Sequence, residues 1–280
     1  MRIGIALHTC KEGMYVPSSF AGPEEIVSSA KMAEEFGFYS IWGPDFTSVT
    51  PSMDIVQTQP PNFYELLMML SYIASFTNHI RLGTGAIVLP HRDPVLLAKQ
   101  IVTLDHFSSG RLIFGTGLGH YRDEFESIKP RERGSNRGRM LIESLSAIYL
   151  LLTQDSVTFE GEYYQFSNIS LNPKPLQLNL PIYISGKGPD VPMRVAKWGS
   201  GWMLSRMQDK GVKARINDLS IAMNTVGRDV SEIDITTTRG VSIATTTKKA
   251  FEQYNKSLLP KRTSGSTLER IMQQNLIGTP

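Results

Sequence analysis

The feature that most constrains this chain is a repeated unit, in which a short apolar run is followed by an amphipathic helix. The apolar runs do not alternate with polar residues, which is typical of strands buried on both faces of a parallel sheet. We predict strands at Arg2–His8, Phe38–Trp42, Arg81–Leu89, Arg111–Gly117, Pro181–Ser185, Trp202–Leu204 and Ile233–Ala244. The main helices between them are predicted at Phe63–Phe76, Pro94–Phe107, Arg137–Leu152 and Lys210–Val226, with another opening at Pro23. This alternation predicts an α/β fold, the TIM-type (β/α)8 barrel.

The end of the chain departs from the repeat. Helical material runs from Lys248 to Gln274, and no later apolar run is long enough to suggest an eighth strand. Thr279–Pro280 resembles the start of another helix. We therefore expect a barrel that lacks its last helix and strand in this chain. Residues 1–280 are expected to form one barrel domain, with an irregular insertion around 153–180 where turn-forming residues interrupt the rhythm.

Composition narrows the class of protein. The 280 residues carry 29 Lys+Arg against 26 Asp+Glu, a formal net charge of +3 that argues against a nucleic-acid partner. The single cysteine, Cys10, cannot form an intramolecular disulfide, which favours a reducing compartment. No stretch approaches the roughly 18 apolar residues of a membrane span. We expect a cytoplasmic protein without a membrane partner.

In a parallel barrel the active site lies at the carboxyl ends of the strands, where four segments stand out. In the first, Asp45 follows the second strand and would orient a ligand or simply form a turn. In the second, Gly83 and Gly85 interrupt the third strand. Glycines weaken a strand unless a backbone or ligand approaches closely. A planar ring against this strand would explain them, and so would a β-bulge.

The third and fourth segments could bind phosphate. Three glycines at alternate positions end the fourth strand, where bare backbone N–H groups can cradle an anion. They lack the immediate helix and later acidic residue of the dinucleotide fingerprint. After the fifth strand, Ser185 and Lys187 precede a helix, which suits an anion site and equally a plain turn with a solvated lysine.

Acid–base and metal chemistry depend on the five histidines. His8 and His120 fall at the carboxyl ends of strands, so they are the candidates for proton transfer. The histidines form no paired spacings and the lone cysteine has no partner, so we predict no metal site.

Taken together, the segments resemble a known family, the luciferase-like flavin monooxygenases and their deazaflavin-dependent relatives. The residues that carry the resemblance are Gly37–Asp45, Arg81–Gln100, Leu104–Gly119 and Asn172–Gly186. The resemblance implies FMN or a deazaflavin coenzyme at the carboxyl-end mouth of the barrel, and a small-molecule substrate. It also suggests a separate flavin reductase as partner and a homodimer.

The resemblance assigns residues to the cofactor. A non-prolyl cis peptide, behind the flavin ring, would map to Gly85–Ala86. The residues expected to line the cofactor are Thr84, Gly85, Ala86, Gly117, Leu118, Gly119, His120 and Tyr121. The flavin phosphate is expected near Ser185, Gly186, Lys187 and Gly188, with Arg139 as a charge partner.

One departure from the family bears on the reaction. The family usually has Asp-His or Glu-His after the second strand, whereas this chain has Asp45-Phe46. Phe46 cannot transfer a proton, so His8 or His120 acts instead, the chemistry differs, or activity is reduced. Three functions stay open: a monooxygenase using reduced FMN and oxygen on a small organic substrate, a deazaflavin-dependent hydride-transfer dehydrogenase or reductase, and a non-catalytic flavin-binding protein. Substrate specificity is expected in the loops Thr9–Gly22 and Thr47–Pro61.

Overall fold

The computed structural model describes residues 1–9, 11–12, 16–17, 20, 22–53, 61–204, 209–257, 271 and 275–280. The strands are β1 (Gly4–Ala6), β2 (Ser40–Gly43), β3 (Arg81–Thr84), β4 (Ile87–Val88), β5 (Leu112–Gly117), β6 (Val157–Glu160), β7 (Gln165–Ile169), β8 (Ile182–Ser185), β9 (Gly201–Leu204), β10 (Asp234–Thr237), β11 (Gly240–Ile243) and β12 (Asn275–Gly278). The helices are α1 (Pro23–Glu35), α2 (Leu66–Ala74), α3 (Pro94–Phe107), α4 (Arg122–Ile128), α5 (Arg137–Thr153), α6 (Val191–Trp198), α7 (Asp209–Thr225) and α8 (Thr247–Lys256).

The main sheet is parallel and follows the order β1-β2-β3-β5-β8-β9-β10. β4 continues the third strand after an interruption and also pairs with β5. All six residues of β5 are buried, as expected for a central strand covered on both faces. Each of the seven predicted strands overlaps an observed strand, so the predicted α/β architecture is confirmed.

The sheet curls so that its first and seventh strands approach each other. Arg2, just before β1, donates hydrogen bonds to the Tyr39 hydroxyl (3.2 Å) and to the carboxylate of Asp234, the first residue of β10. The Tyr183 hydroxyl of β8 donates to the other oxygen of the same carboxylate. A flat sheet would hold β1 and β10 at opposite edges, so these contacts indicate the curvature of a barrel.

Two large rings fill the interior beneath the carboxyl ends of the strands. Trp42 of β2 and Tyr183 of β8 lie with their ring centroids 5.8 Å apart. Neighbouring strands leave space for them by carrying glycine. A Cβ atom on Gly83 would lie 2.3 Å from the Trp42 ring, and one on Gly201 would lie 2.4 Å from the Tyr183 ring. The interior is therefore packed, as in other barrels of this type, and ligands are confined to the mouth.

The expectation that the chain lacks its eighth strand was wrong. Asn275–Gly278 forms β12, which pairs in parallel with β11. The strand is only four residues long, and the Thr279–Pro280 pair directly after it suggested the start of a helix instead. Asn275 is buried and donates from its side chain to the Ile271 carbonyl, an anchor that the sequence pattern does not reveal. The break between β10 and β11 divides the predicted seventh strand in two.

The segment around 153–180 also differs from expectation. It contains a two-stranded antiparallel hairpin, in which β6 pairs with β7, rather than only irregular chain. The Glu143 side chain of α5 accepts hydrogen bonds from the backbone N–H groups of Tyr163 and Tyr164, both at 2.9 Å. These bonds hold the turn of the hairpin against α5.

Capping side chains fix where two of the helices around the mouth begin. Asp93 accepts from the Leu96 N–H at 2.9 Å, and Pro94 occupies the first helical position of α3. Asn136 accepts from the backbone N–H of Arg139 at 3.2 Å, so α5 begins at Arg137. In the part of the chain that the structure describes, no helix is both long and apolar enough to cross a membrane.

Candidate functional site

The third strand is interrupted where the site begins. Residues 84–86 lie opposite only residues 114–115 of β5, so one extra residue bulges from the strand. The Thr84 hydroxyl fills the gap, donating to the Gly115 carbonyl and accepting from the Gly115 N–H, both at 2.7 Å. The Gly85–Ala86 peptide bond is cis, at the position that the family resemblance implies. The β-bulge that was one explanation of the glycines is therefore confirmed, and the planar ring against this strand stays a prediction.

Three small residues form a floor across neighbouring strands. A Cβ atom built on Gly117, at the end of β5, would lie 3.3 Å from the Ala86 Cβ and 3.5 Å from the Ser185 Cβ. We call Ala86, Gly117 and Ser185 the platform. Its members come from the third, fourth and fifth strands of the barrel, and none has a side chain longer than serine. A flat surface of this kind fits a planar ring system.

A tight turn follows the platform at the end of β5. Gly119 has φ +81° and a Cβ atom there would lie 2.7 Å from Val88 Cγ1, so glycine is required both for its conformation and for space. His120 is exposed at this turn, and its ring lies edge-on to that of the buried Tyr121, with centroids 4.7 Å apart. The predicted residues Gly117 to Tyr121 are therefore brought together beside Ala86.

An arginine that the sequence reasoning missed holds this turn. Arg137 donates from Nη1 to the Tyr121 carbonyl at 3.1 Å, and its Nε is buried without a hydrogen-bond partner among the described residues. Burial, followed by the charge of Arg122, lowers the pKa of Arg137. The predicted phosphate partner, Arg139, has a side chain 68% exposed and contacts Glu162 at 3.5 Å. Both arginines lie in the first turn of α5, and only the packing distinguishes them.

Two backbone carbonyl groups of the loop after β8 accept hydrogen bonds from side chains of other elements. Gly186 has φ +135°, and its carbonyl accepts from Trp202 Nε1 at 3.0 Å. The Gly188 carbonyl accepts from Arg215 Nη2 at 2.6 Å. Arg215 comes from α7, more than 25 residues away in sequence, so the local pattern could not predict it. Its guanidinium also lies 5.4 Å from the centroid of the Trp202 ring.

This loop has the chemistry of an anion site. It leads directly into α6, whose amino end carries a partial positive charge, and Lys187 is exposed within it. Arg194 of α6 is buried and pairs with Asp190 at 3.2 Å, and burial lowers the pKa of Arg194. Ser185 belongs both to this loop and to the platform, so a planar ring and an attached anionic group could be held next to each other.

Asp45 lies in a buried ion pair at the end of the second strand. Its Oδ2 accepts from the Val88 N–H at 2.9 Å, and its Oδ1 lies 2.7 Å from Arg92 Nη2. Arg92 also contacts Glu65 at 2.9 Å. The Asp45 side chain is 3% exposed and that of Arg92 17%. These contacts place Asp45 where it can hold β4, directly after the platform bulge, and every hydrogen bond described for it serves that purpose.

The two candidate histidines have different surroundings. His8 is half-buried, lies edge-on to Phe20 with ring centroids 5.1 Å apart, and has a buried Nδ1 that makes no hydrogen bond with the described residues. Burial, with a smaller contribution from Lys11, lowers the pKa of His8. A neutral imidazole at neutral pH can accept a proton. His120, in contrast, is exposed to solvent.

Phe46 is part of an aromatic cluster at the mouth. Its ring centroid lies 5.6 Å from that of Phe63 and 6.0 Å from that of Tyr121, with interplanar angles of 32° and 43°. The three residues come from loops after the second and fourth strands, so the cluster is on the same side of the barrel as the platform. The position of the family histidine is thus occupied by a ring that packs rather than titrates.

A buried glutamate, also missed from the sequence, fixes the loop after Phe46. Glu124 is fully buried, and its Oε1 accepts from the N–H groups of Thr47 (2.7 Å) and Ser48 (3.4 Å). Its Oε2 is buried without a partner in the described part of the chain. Burial raises the pKa of Glu124, and the nearby carboxylate of Asp45 adds to the effect. Glu124 lies in α4, in a polar sequence that gave no signal of burial.

Among the described residues, no group of three or more His, Cys, Asp or Glu side chains could hold a metal ion. Parts of the loops expected to govern substrate specificity, residues 10, 13–15, 18–19, 21 and 54–60, lie outside the described residues.

The arrangement matches one protein family along nearly the whole chain. Residues 1–275 fit the family model described as luciferase-like monooxygenase. The chain belongs to the luciferase-like monooxygenase family. The resemblance drawn from four sequence segments is therefore confirmed, and the cis peptide and the platform lie in the segments that carried it.

Relatives of this luciferase-like chain differ in their reactions. It is 27% identical over 249 residues to an F420-dependent glucose-6-phosphate dehydrogenase of Amycolatopsis mediterranei, covering 86% of this chain and 72% of the relative. It is 32% identical over 168 residues to the oxygenase component of a flavin-dependent trigonelline monooxygenase of Acinetobacter baylyi, covering 60% of this chain and 44% of the relative. Membership of the family therefore supports an oxidoreductase. It does not determine the reaction, which has to be inferred from the residues of the site.

A solved structure supports the fold. The monooxygenase RslO1 from Streptomyces bottropensis superposes with a TM-score of 0.79 at 22% identity, covering all of this luciferase-like chain and 85% of that one. At this identity the likeness concerns the architecture, a luciferase-like barrel, and does not extend to the substrate.

Proposed function

We propose that this protein is a flavin-dependent monooxygenase that uses reduced FMN and oxygen on a small organic substrate. The observation that carries the proposal is the platform, where a Cβ atom on Gly117 would lie within 3.5 Å of both Ala86 and Ser185. Small residues at the ends of three adjacent strands leave a flat area, and the anion loop begins at one of them. This combination fits the ring and the phosphate of FMN.

The residues proposed to hold FMN are those that the family resemblance implies, with one change. The ring would lie against the platform, with Thr84 and Gly85 behind it and Leu118, Gly119, His120 and Tyr121 along its edge. The phosphate would lie at Ser185, Gly186, Lys187 and Gly188. We assign the arginine partner to Arg137 instead of Arg139, because Arg137 is anchored at Tyr121 whereas Arg139 is exposed and pairs with Glu162.

In such a reaction the cofactor and the residues of the chain have separate roles. Bound reduced FMN would supply the two electrons and two hydrogens with which oxygen gives one atom to the substrate and one to water. The protein orients the two reactants and excludes bulk water. Phe46, Phe63 and Tyr121 suit the second task, since they present apolar surface at the mouth.

The same cluster favours oxygenation over oxidation of an alcohol by hydride transfer. Removing a hydride from an alcohol also requires a base that takes the hydroxyl proton, and such a base must lie within hydrogen-bond reach of it. Phe46 cannot take that proton, so hydride transfer would need His8 or His120 as its base. Phe46 instead adds apolar surface at the mouth, which suits a reaction that has to exclude bulk water.

Three residues keep proposed roles near the reacting atoms. His8 is the proposed acid–base group, because it is half-buried and its pKa is lowered, so its imidazole is neutral near pH 7. His120 is the second candidate. Asp45 is proposed to act through β4 and Arg92 rather than by touching the substrate.

The proposed partners follow from the cofactor and the surface. Reduced FMN has to be supplied, so we propose a separate flavin reductase; the Acinetobacter baylyi relative is likewise named as an oxygenase component. We also propose a homodimer. Met68 and Tyr72 of α2 are 72% and 50% exposed at helical spacing, and the neighbouring α3 exposes Leu96 (59%). Sedimentation of the purified chain, compared with Tyr72→Glu, tests that state.

The test of the reaction is oxygen incorporation. The protein is loaded with reduced FMN without oxygen and then mixed with isotopically heavy oxygen gas and a panel of small organic compounds. We expect a product that carries one heavy oxygen atom, found by mass spectrometry. Oxidation of an alcohol with a deazaflavin coenzyme, without oxygen incorporation, would instead establish a hydride-transfer enzyme. Binding of FMN with neither reaction would leave a flavin-binding protein.

A further inference from the structure

The cluster of Phe46, Phe63 and Tyr121, here called the aromatic wall, is built to be rigid. Asp45, on one side of Phe46, is held by the Val88 N–H and by Arg92. Thr47, on the other side, donates its N–H to buried Glu124 at 2.7 Å. Phe46 therefore lies between two anchored neighbours, which fixes the position of its backbone at the mouth.

The second side of the wall is fixed in a comparable way. Tyr121 is only 9% exposed, and its carbonyl accepts from Arg137. The three ring centroids span 5.6 to 6.0 Å between neighbours, with tilts of 32° and 43°. These values fall within the range in which aromatic rings attract each other through their edges and faces. Phe46 and Phe63 are only partly buried, so part of each ring is accessible to a further flat ring.

The charged groups that the structure describes next to the wall are already engaged. The carboxylate of Asp45 is paired with Arg92, and the Glu124 oxygen that is bonded faces backbone N–H groups. Arg137 donates to the Tyr121 carbonyl and is the arginine that we assign to the FMN phosphate, so its charge belongs to the cofactor site. A charged ligand would lose its hydration against this surface without gaining a partner. An uncharged ligand would not suffer that loss.

We infer that the aromatic wall selects the substrate, and that the preferred substrates carry an uncharged planar aromatic ring. This inference rests on the proposed function, since it names the substrate class of the same site. Phe46 is accordingly a specificity-determining residue. Its ring replaces a proton-transfer group of the family with a stacking surface.

The test compares two ligands of matched skeleton, 2-naphthol and decahydro-2-naphthol, which differ in the planarity of their rings. Binding to the protein loaded with oxidised FMN is measured by calorimetry. We expect 2-naphthol to bind at least fivefold more tightly than its saturated counterpart. Phe46→Leu and Phe63→Leu should each weaken 2-naphthol by about three- to tenfold and change the saturated ligand less than twofold, as expected from the loss of one aromatic contact. Phe107→Leu, a 69% exposed ring on α3, is the matched control and should change neither.

Several outcomes would overturn the inference. Equal affinity of the wild-type protein for the two ligands would do so without any variant, so a variant that does not fold cannot leave the question open. Equal weakening of both ligands by Phe46→Leu would show ordinary apolar burial instead of ring recognition. Visible titration of FMN in each sample separates this failure from that of the proposed function. If FMN does not bind but 2-naphthol still binds more tightly than decahydro-2-naphthol, the role of the aromatic wall is supported and the cofactor assignment fails.

Discussion

The ion pair between Asp45 and Arg92 gives the sharpest test of how the site is held. Asp45→Asn removes the charge and keeps an oxygen that can accept from the Val88 N–H. The Asp45 side chain is 3% exposed and lies 2.7 Å from Arg92. Removing one partner of a buried pair costs about 3–5 kcal/mol. Because Glu65 still contacts Arg92 at 2.9 Å, we expect the lower end of that range, about 3 kcal/mol.

The assay is urea unfolding followed by circular dichroism. With a slope of about 3 kcal/mol per molar urea, the expected loss moves the midpoint down by about 1 M. Glu65→Gln is the matched control on the same arginine; its side chain is 42% exposed, so its cost should stay between about 0 and 1 kcal/mol. FMN affinity should fall in Asp45→Asn but not in Glu65→Gln, because Asp45 holds β4 beside the platform. An unchanged midpoint together with lost turnover would contradict the positioning role and point to direct chemistry.

The remaining predictions concern charge. Burial raises the pKa of Glu124, so the folded protein favours the protonated carboxyl. The stability that this group contributes is complete at pH values below its unfolded-state pKa, about 4.3, and is lost as the pH rises through the raised pKa. Glu124→Gln should therefore match the wild-type urea midpoint in acid and exceed it at neutral pH; parallel curves at all pH values would refute this. Arg137→Gln should weaken FMN about tenfold or more while riboflavin, which lacks the phosphate, changes little; Arg139→Gln should affect neither by more than about threefold, given its exposure. If Arg137→Gln weakened FMN and riboflavin equally, Arg137 would not be the partner of the phosphate. Since burial lowers the pKa of His8, the acid limb of a kcat/KM profile should fall below the ordinary value of about 6.5 and disappear in His8→Gln; a limb that persists would exclude His8 as the base.

The sequence predicted the strands well because they are buried on both faces. A central parallel strand such as β5 is an uninterrupted apolar run, which needs no knowledge of its neighbours. β12 was missed because four residues beside glycine and proline carry no such signal. The pairing of β12 with β11 is what defines it as a strand, and pairing is a property of the folded chain.

The residues of the site fall into the same two groups, those with a local sequence signal and those that are defined only by contacts in the folded chain. Gly85, beside the platform, and Gly117, within it, could be located from sequence, because close approach of backbone or ligand is one of the few reasons for glycine inside a strand. Arg137, Glu124 and Arg215 could not, since what distinguishes them is a partner in another element. Arg139 illustrates the limit. It lies two residues from Arg137 in the same helical turn, and only the packing leaves Arg139 exposed and Arg137 half-buried.

The central claim is that a flavin lies on the platform, and FMN titration of the purified chain tests it most directly. Gly117→Val is the perturbing variant, because its added methyl groups would start within 3.5 Å of Ala86 and Ser185 and stand on the platform. Gly37→Ala, at the turn between α1 and β2, is the glycine control for FMN binding, because an added Cβ meets nothing within 4 Å there and its φ of +73° strains the chain without adding atoms near the platform. We expect saturable changes in the visible flavin spectrum with one FMN per chain, retained in the control and lost in Gly117→Val while the fold persists. Binding that is equally strong in Gly117→Val, or no binding of FMN or deazaflavin by the wild-type chain, would contradict the claim.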